Sequence, residues 1–284
     1  MNVEYSINHQ ERFTNNPYQD LHIYYLQGRL VLDYKLLGDC FIGNWEEDEF
    51  SFLFFSKQSD DKVNKIVNTQ AQLTLIERYH MTYEQWQGGT VAPFKIGSFL
   101  ITPPWESIEK EEEQLLIILD SGVVFGTGTH TTTIDCLEAI ELVCSQEKVE
   151  SVIDIGTGTG LLALAAARLG CKRNLAVDIN FLSARTAQRN IRLNRLEERV
   201  LIAQGRAEDF MVFPADLLVA NIHYDVMKHL ISSQGLLNKK WFILSGLLRS
   251  QARDVANMLS RHPVTILRKW ERDGIWSTFF GKIC

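Results

Sequence analysis

Apolar and polar positions follow two different patterns along this chain. From about residue 92 onward, short unbroken apolar runs alternate with segments of helical period. The runs are Val152-Ile153-Asp154-Ile155, Leu175-Ala176-Val177-Asp178, Val200-Leu201-Ile202, Leu217-Leu218-Val219-Ala220 and Trp241-Phe242-Ile243-Leu244. Between them, residues 159–169, 181–194, 224–233 and 247–260 read as helices. A further helix over 130–147 precedes the first run, with Ile134, Leu137, Ile140 and Cys144 at helical spacing. Short strands without polar alternation, separated by helices, predict a mostly parallel α/β sheet covered on both faces. Upstream, Phe99-Leu100-Ile101-Thr102 predicts a short strand stopped by Pro103-Pro104. The chain ends differently: Val264 to Trp270, a polar turn at Glu271-Arg272-Asp273-Gly274, and Trp276 to Phe280 predict an antiparallel hairpin.

The first 77 residues read as a small α+β domain. Strands are expected at Leu21 to Leu26, Leu30 to Leu36 and Phe50 to Phe55, with an acidic loop from Asn44 to Glu49. An amphipathic helix is expected from Lys62 to Tyr79. Residues 78–91, which include Gly88-Gly89-Thr90, read as a linker to the α/β domain over 92–284. The charge run Glu109-Lys110-Glu111-Glu112-Glu113 reads as a solvated loop. No internal repeat or low-complexity tract interrupts the chain.

Charge and composition narrow the function. The formal net charge of -6 is a poor basis for sequence-independent nucleic-acid binding, which needs Lys and Arg to displace counterions. It suits a basic protein partner. No apolar stretch approaches the ~18 residues of a membrane span, and Met1-Asn2-Val3-Glu4-Tyr5 does not resemble a signal peptide. Cysteines 40, 136, 144, 171 and 284 form no CxxC pair, so neither a disulfide framework nor a zinc site is expected. These features place the protein in a reducing cytoplasm.

The candidate chemistry begins where Val152-Ile153-Asp154-Ile155 runs into Gly156-Thr157-Gly158-Thr159-Gly160 and a helix starts at Leu161. Glycines permit the sharp turn and let a ligand reach main-chain atoms. The helix start adds unpaired N–H donors suited to an anion. Asp178 closes the second strand, 22 residues after Gly156, where a carboxylate can accept both ribose hydroxyls of a nucleoside. A structural turn with a structural aspartate is the plainer alternative. The fourth strand ends in Asn221-Ile222-His223-Tyr224. Asn221 there could simply cap the next helix, or contact a cofactor or a substrate nitrogen in the cleft. Phe125-Gly126-Thr127-Gly128-Thr129-His130-Thr131-Thr132-Thr133 lacks large aliphatic side chains and would make a poor core. It offers flexible backbone, hydroxyl donors and a helix cap at one of Thr131 to Thr133. His130 has no visible partner that would make it a general base.

These residues resemble the ribosomal protein L11 methyltransferase family. The family signature reads Asp-Pro-Gly, two residues, Phe-Gly-Thr-Gly-Thr-His, then Pro-Thr-Thr; Asp120 to Thr133 follows it with Ser121 and Thr131 in place of the prolines. The likeness continues through the glycine loop, Ala220-Asn221-Ile222 and Leu244-Ser245-Gly246-Leu247-Leu248, and covers about residues 92 to 284. His223-Tyr224 departs from the family's small and aliphatic residues at the substrate side, and residues 1–77 match only loosely.

The resemblance implies a class I methyltransferase fold: a Rossmann-like, mostly parallel seven-stranded sheet with a terminal antiparallel hairpin. It implies S-adenosyl-L-methionine as cofactor, no metal, and methyl transfer to amino groups of a protein, ribosomal protein L11 foremost. The small N-terminal domain would recognise the substrate, and the enzyme would act as a monomer. By motif position, cofactor contacts fall on Thr133, Gly156, Asp178 and Asn221, with Gly158, Phe125 and Thr127 of the two glycine-containing loops beside them. Asn221, with His223 or Tyr224, would hold the amine. Other readings stay open: another protein lysine, a small molecule, or a nucleic-acid amino nitrogen, since Asn221-Ile222-His223-Tyr224 superficially resembles an Asn-Pro-Pro-Tyr motif. A cofactor-binding module without turnover is a further alternative. A dinucleotide dehydrogenase fits poorly with GxGxG spacing and a terminal hairpin.

Overall fold

One strand, β8 (Ser151–Ile155), occupies a central position in a seven-stranded sheet. The computed structural model describes residues 15–31, 37–108 and 111–284. The chain divides into two compact units, residues 1–93 with 102–109 and residues 94–101 with 110–284.

The larger unit is the α/β sheet that the apolar runs predict. After β8 come helix α4 (Leu161–Arg168), β9 (Arg173–Asp178), α5 (Phe181–Leu193), β10 (Val200–Gln204) and the one-turn helix α6 (Ala207–Phe210). β11 (Ala215–Asn221), α7 (Tyr224–Ser232), β12 (Lys239–Leu248) and α8 (Arg249–Leu259) follow. β8, β9, β10, β11 and β12 are parallel. β13 (Val264–Arg272) and β14 (Trp276–Ile283) form the antiparallel hairpin, and β14 pairs antiparallel with β12.

Alternate residues of each buried strand feed opposite faces. Val152, Leu217, Val219 and Ile243 join one apolar core with α4 and with helix α3, Thr131–Gln146. Ile153, Leu218, Ala220, Phe242 and Leu244 join the other with α7 and α8. That is why the strands read as unbroken apolar runs. The order, β10-β9-β8-β11-β12-β14-β13, also reverses at β8: the chain proceeds outward to β9 and β10, then returns to β11 on β8's other side. Open α/β sheets bind ligands at such a switch point, beyond the carboxyl ends of the strands. Gly156, Asp178 and Asn221 all sit at those ends.

The smaller unit holds an antiparallel sheet of order β2-β3-β1-β4. Its strands are β1 (Asp20–Gln27), β2 (Phe41–Glu47), β3 (Phe50–Phe55) and β4 (Thr74–Thr82). Helix α1, Asp60–Thr69, buries Val63 and Ile66 against Tyr24, Leu26, Leu53 and Phe55 on one face. Several expectations fail here. The helix expected over 62–79 ends at Thr69, and residues 74–82 are strand β4, paired along β1. The amphipathic pattern there fits either period, and pairing decides it. The expected linker over 78–91 holds the end of β4 and helix α2, Tyr83–Gln87, started by a Thr82/Gln85 capping box. The acidic stretch Asn44 to Glu49 is mostly strand, because Trp45 pairs with Phe52 across β2 and β3 while the charges stay in water. Of the strand expected over Leu30 to Leu36, residues 32–36 lie outside the described residues, and Leu30 and Val31 are not strand.

Three short strands, β5 (Phe94–Ile96), β6 (Phe99–Thr102) and β7 (Leu115–Ile118), form a third sheet. β7 was not anticipated from the sequence. In the expected charged loop, Glu111, Glu112 and Glu113 are exposed, and residues 109–110 lie outside the described residues.

Candidate active site

β8 ends in a loop whose geometry demands glycine. Gly156 and Gly158 have φ of 69° and 56°. A Cβ on Gly156 would fall 2.2 Å from Ile222 Cγ2, and one on Gly158 would fall 2.7 Å from the Phe125 carbonyl oxygen. Both glycines are therefore fixed by backbone and by close approach.

Asp178 ties this loop to the next strand. Its carboxylate accepts the Gly158 N–H and the Asn180 N–H, each at 2.9 Å. Burial raises its carboxyl above the ordinary value, against the pull of those two donors. Asp154, in β8, is 1% exposed. It accepts the Thr157 hydroxyl at 2.5 Å, and the Ala163 N–H in the first turn of α4 also favours its charged form. Burial pushes its carboxyl up to about 7.

The second glycine-threonine segment lies directly over the glycine loop. The Thr159 hydroxyl donates to the Gly126 carbonyl at 2.7 Å. Phe125 is 70% exposed above it, and the Thr127 and Thr129 hydroxyls are 2.9 Å apart. The segment then starts α3, with His130 as its cap: the His130 ring nitrogen Nδ1 accepts the Thr132 N–H and lies 2.7 Å from the Thr132 hydroxyl. The cap expected at one of Thr131 to Thr133 is therefore His130, because the helix already includes those threonines, and His130 also lies edge-on to Trp276 at 5.1 Å.

Asn221 meets that helix start. Its Nδ2 donates to the hydroxyls of Thr132 at 3.3 Å and Thr133 at 3.4 Å. Its Oδ1 lies where a Cβ on Gly246 would come within 3.0 Å, so the glycine in the β12 bulge leaves that oxygen room. Below, Ser245 bonds the Thr132 carbonyl at 3.3 Å and the Thr278 hydroxyl at 2.6 Å, and Thr278 donates to buried Asp135, which Arg272 pairs at 2.7 Å. A buried polar chain thus supports the threonines that hold Asn221.

The structure brings Phe125, Thr133, Gly156, Gly158, Asp178 and Asn221 to one edge of the sheet, with Thr127 in the overlying loop. It treats His223 and Tyr224 differently. His223 caps α7, bonds Asp225 and is 74% exposed at its side chain. The Tyr224 hydroxyl bonds Asp254 on α8, and Lys228 lies over its ring at 4.6 Å.

Sequence reasoning passed over Asp154 and Asn190. Asp154 was visible as an acid inside an apolar strand, a costly placement that asks for a reason. Asn190 was visible as a weak helix former in mid-helix, four residues before Asn194.

Comparison with known proteins gives the family. Residues 44–283 match the ribosomal protein L11 methyltransferase family. The chain is 38% identical over 185 residues to a ribosomal protein L11 methyltransferase of Desulfitobacterium hafniense, covering 64% of this chain and 58% of that protein. It is 32% identical over 230 residues to the protein of that name from Desulforamulus reducens, covering 76% and 74%. The match thus spans little more than half of the first relative's length. Among solved structures, a ribosomal protein L11 methylase from Lactobacillus delbrueckii subsp. bulgaricus superposes with a TM-score of 0.61 at 29% identity, over 68% of this chain and 100% of that one.

Proposed function

The chain belongs to the ribosomal protein L11 methyltransferase family, and we propose that it transfers methyl groups from S-adenosyl-L-methionine to amino groups of ribosomal protein L11. The amines are Lys side chains, the N-terminal amine, or both, and the enzyme acts in the cytoplasm as a monomer.

The observation that carries this reading is the convergence of the glycine loop, Asp178 and Asn221 at one switch point. The residues fit the cofactor. Gly156 and Gly158 let Ile222 and the Phe125 carbonyl close on the loop where a Cβ would block them, which shapes the walls of the site. Asp178 spends one lone pair of each oxygen on backbone N–H groups, and keeps others for ribose hydroxyls. Asp154 adds a buried carboxylate beneath the loop, and the partial positive charge at the start of α4 favours a carboxylate such as that of an amino acid. Ile179 and Phe181, 68% and 49% exposed, offer apolar surface beside Asp178.

Bound there, S-adenosyl-L-methionine supplies an electrophilic methyl group on a sulfonium. The chain's own contribution is positioning. Thr133 and Asn221 would contact the amino-acid portion, with Phe125, Thr127, Gly156 and Gly158 forming the walls. Both Asn221 N–H groups face threonine hydroxyls, so its carbonyl oxygen is the acceptor available to an incoming amine. A free Lys amine has a pKa of about 10.4, and a site that excludes water favours its neutral, nucleophilic form. His223 and Tyr224 flank Asn221 at the substrate side.

The N-terminal unit supports a basic protein substrate. Trp45, Phe52, Tyr25 and Glu77 pair in a row across all four strands, on the face opposite α1. Tyr25 stacks on Phe52 at 4.6 Å, and these aromatics are half-exposed. The β2–β3 turn beside them exposes Glu46, Glu47, Asp48 and Glu49, and Arg29 donates to the Asp48 carbonyl at its tip. Aromatic rings flanked by carboxylates suit the cations and stems of Arg and Lys, and repel phosphates.

The test is incubation of the pure protein with radiolabelled S-adenosyl-L-methionine and a ribosome-containing extract, with labelled bands resolved by mass. A band at ribosomal protein L11, lost in Asp178→Ala, supports the reading. Label on a different protein keeps the chemistry and moves the substrate. Label on RNA or a small molecule overturns protein methylation.

A further inference from the structure

Two buried asparagines, one on α5 and one at its C-terminal cap, hold the segment that leads into the overlying loop. Asn190 and Asn194, one helical turn apart, are 0% and 4% exposed. Asn194 accepts the Ile118 backbone N–H at 3.0 Å and donates to the Ile118 carbonyl at 2.6 Å. Asn190 does the same for Asp120, at 2.8 Å and 2.9 Å. Each side-chain amide makes the two-way pairing that a residue of a neighbouring strand would make. The spacing permits it: four helical residues rise about 6.0 Å and two extended residues span about 6.6 Å.

Asn194 bonds further to the Asn190 carbonyl at 2.7 Å and to the Arg168 guanidinium at 3.1 Å, whereas Asn190 reaches toward the site. Its Nδ2 also donates to the Thr159 carbonyl, inside the glycine loop, at 2.8 Å. One side chain, shielded from water, is thus bonded both to the start of the Asp120–Thr133 strap and to the end of the glycine loop. The strap and loop touch again at Thr159 and Gly126. The helix that carries Asn190 begins at Asn180, whose side chain caps it and whose N–H is bonded to Asp178. α5 therefore links three segments of the candidate site: the acid, the glycine loop and the strap.

We propose that Asn190 is a positioning residue for cofactor binding: it sets the strap against the glycine loop so that both close on the cofactor. This rests on the methyltransferase reading above. Asn194 provides the internal control, because its pairing with Ile118 has the same form and burial but does not reach the glycine loop.

The experiment compares Asn190→Leu with Asn194→Leu in the full chain. Affinity for S-adenosylhomocysteine is measured by calorimetry, KM and kcat with S-adenosyl-L-methionine, and unfolding temperature alongside. Both variants should unfold at lower temperature. Asn190→Leu should weaken binding and raise the cofactor KM about tenfold or more, while kcat at saturation and the affinity of Asn194→Leu stay within about twofold of wild type. Asn190→Ala, which introduces no clash, makes the same comparison should the leucine fail to fold. Equal losses of affinity at the two positions, or wild-type affinity in the Asn190 variants, overturn the proposal. A wild-type chain with no affinity for the cofactor or its product overturns the methyltransferase reading itself, and this inference with it.

Discussion

Asp178 accepts the backbone N–H of Gly158 at 2.9 Å, so the acid that closes one parallel strand is bonded to the loop that leaves its neighbour. The bond fixes the carboxylate's orientation and one of the loop's donors together. It also leaves the acid with acceptor capacity toward the cleft. Asp178→Ala removes the charged acceptor and frees the loop. Loss of one or two charge-assisted bonds should weaken S-adenosylhomocysteine binding by about 30- to 100-fold. Calorimetry checks this, and an affinity near wild type would rule out the ribose role.

Asn221 is held by Thr132 and Thr133, which are themselves anchored through Ser245 and Thr278. A group fixed this firmly can orient an amine. Asn221→Ala should lower kcat by roughly 100-fold, the scale of a misplaced reactant. Tyr224→Phe and His223→Ala should cost less, because the Tyr224 hydroxyl is engaged with Asp254 and His223 with Asp225. Steady-state kinetics on all three variants give the ranking. A larger loss at Tyr224 than at Asn221 would transfer the orienting role.

Asp154 gives the site a pH signature. Burial lifts its carboxyl from 3.8 to about 7. Below about pH 4 it is protonated both folded and unfolded and contributes nothing to the pH dependence. Between those values the folded chain keeps a proton that the unfolded chain releases, so this group's contribution to stability declines as pH rises, and the loss is complete above about 7. Asp154→Asn removes the titration. The stability of Asp154→Asn relative to wild type should therefore improve by roughly 1–3 kcal/mol between pH 5 and pH 8. Urea unfolding at both values measures it. A difference that does not change with pH would mean that Asp154 ionises as an ordinary carboxylate.

Legibility in the sequence tracked how local each determinant is. The parallel strands, the glycine loop and the acid at Asp178 are written in contiguous residues, and the structure places them as read. The helical expectation fails at β4 because residues 70–79 satisfy an apolar face at either period, and the register with β1 lies some fifty residues away in the chain. β7 was overlooked because four apolar residues after a charge run carry no flanking signal. Asn190 illustrates the remaining limit. Its partners Asp120 and Thr159 are 70 and 31 residues distant, and no spacing rule predicts that one amide will serve both.

The aromatic face of the smaller unit yields a prediction independent of the catalytic residues. Phe52 lies in the middle of the row, stacked on Tyr25 and paired with Trp45. Phe52→Lys places a cation among rings and carboxylates that would otherwise receive the partner's cations. If this face reads a basic protein, the substrate loses both aromatic area and charge complementarity. The substrate KM should rise about tenfold or more, whereas S-adenosylhomocysteine affinity should not change, since Phe52 belongs to one compact unit and the candidate cofactor residues to the other. The KM effect should also shrink at high salt, because only its electrostatic part is screened. Kinetics with ribosomal protein L11 at two ionic strengths, set beside calorimetry, separate the two parts. An unchanged KM would leave this face without a role in substrate recognition and return that role to the α/β unit.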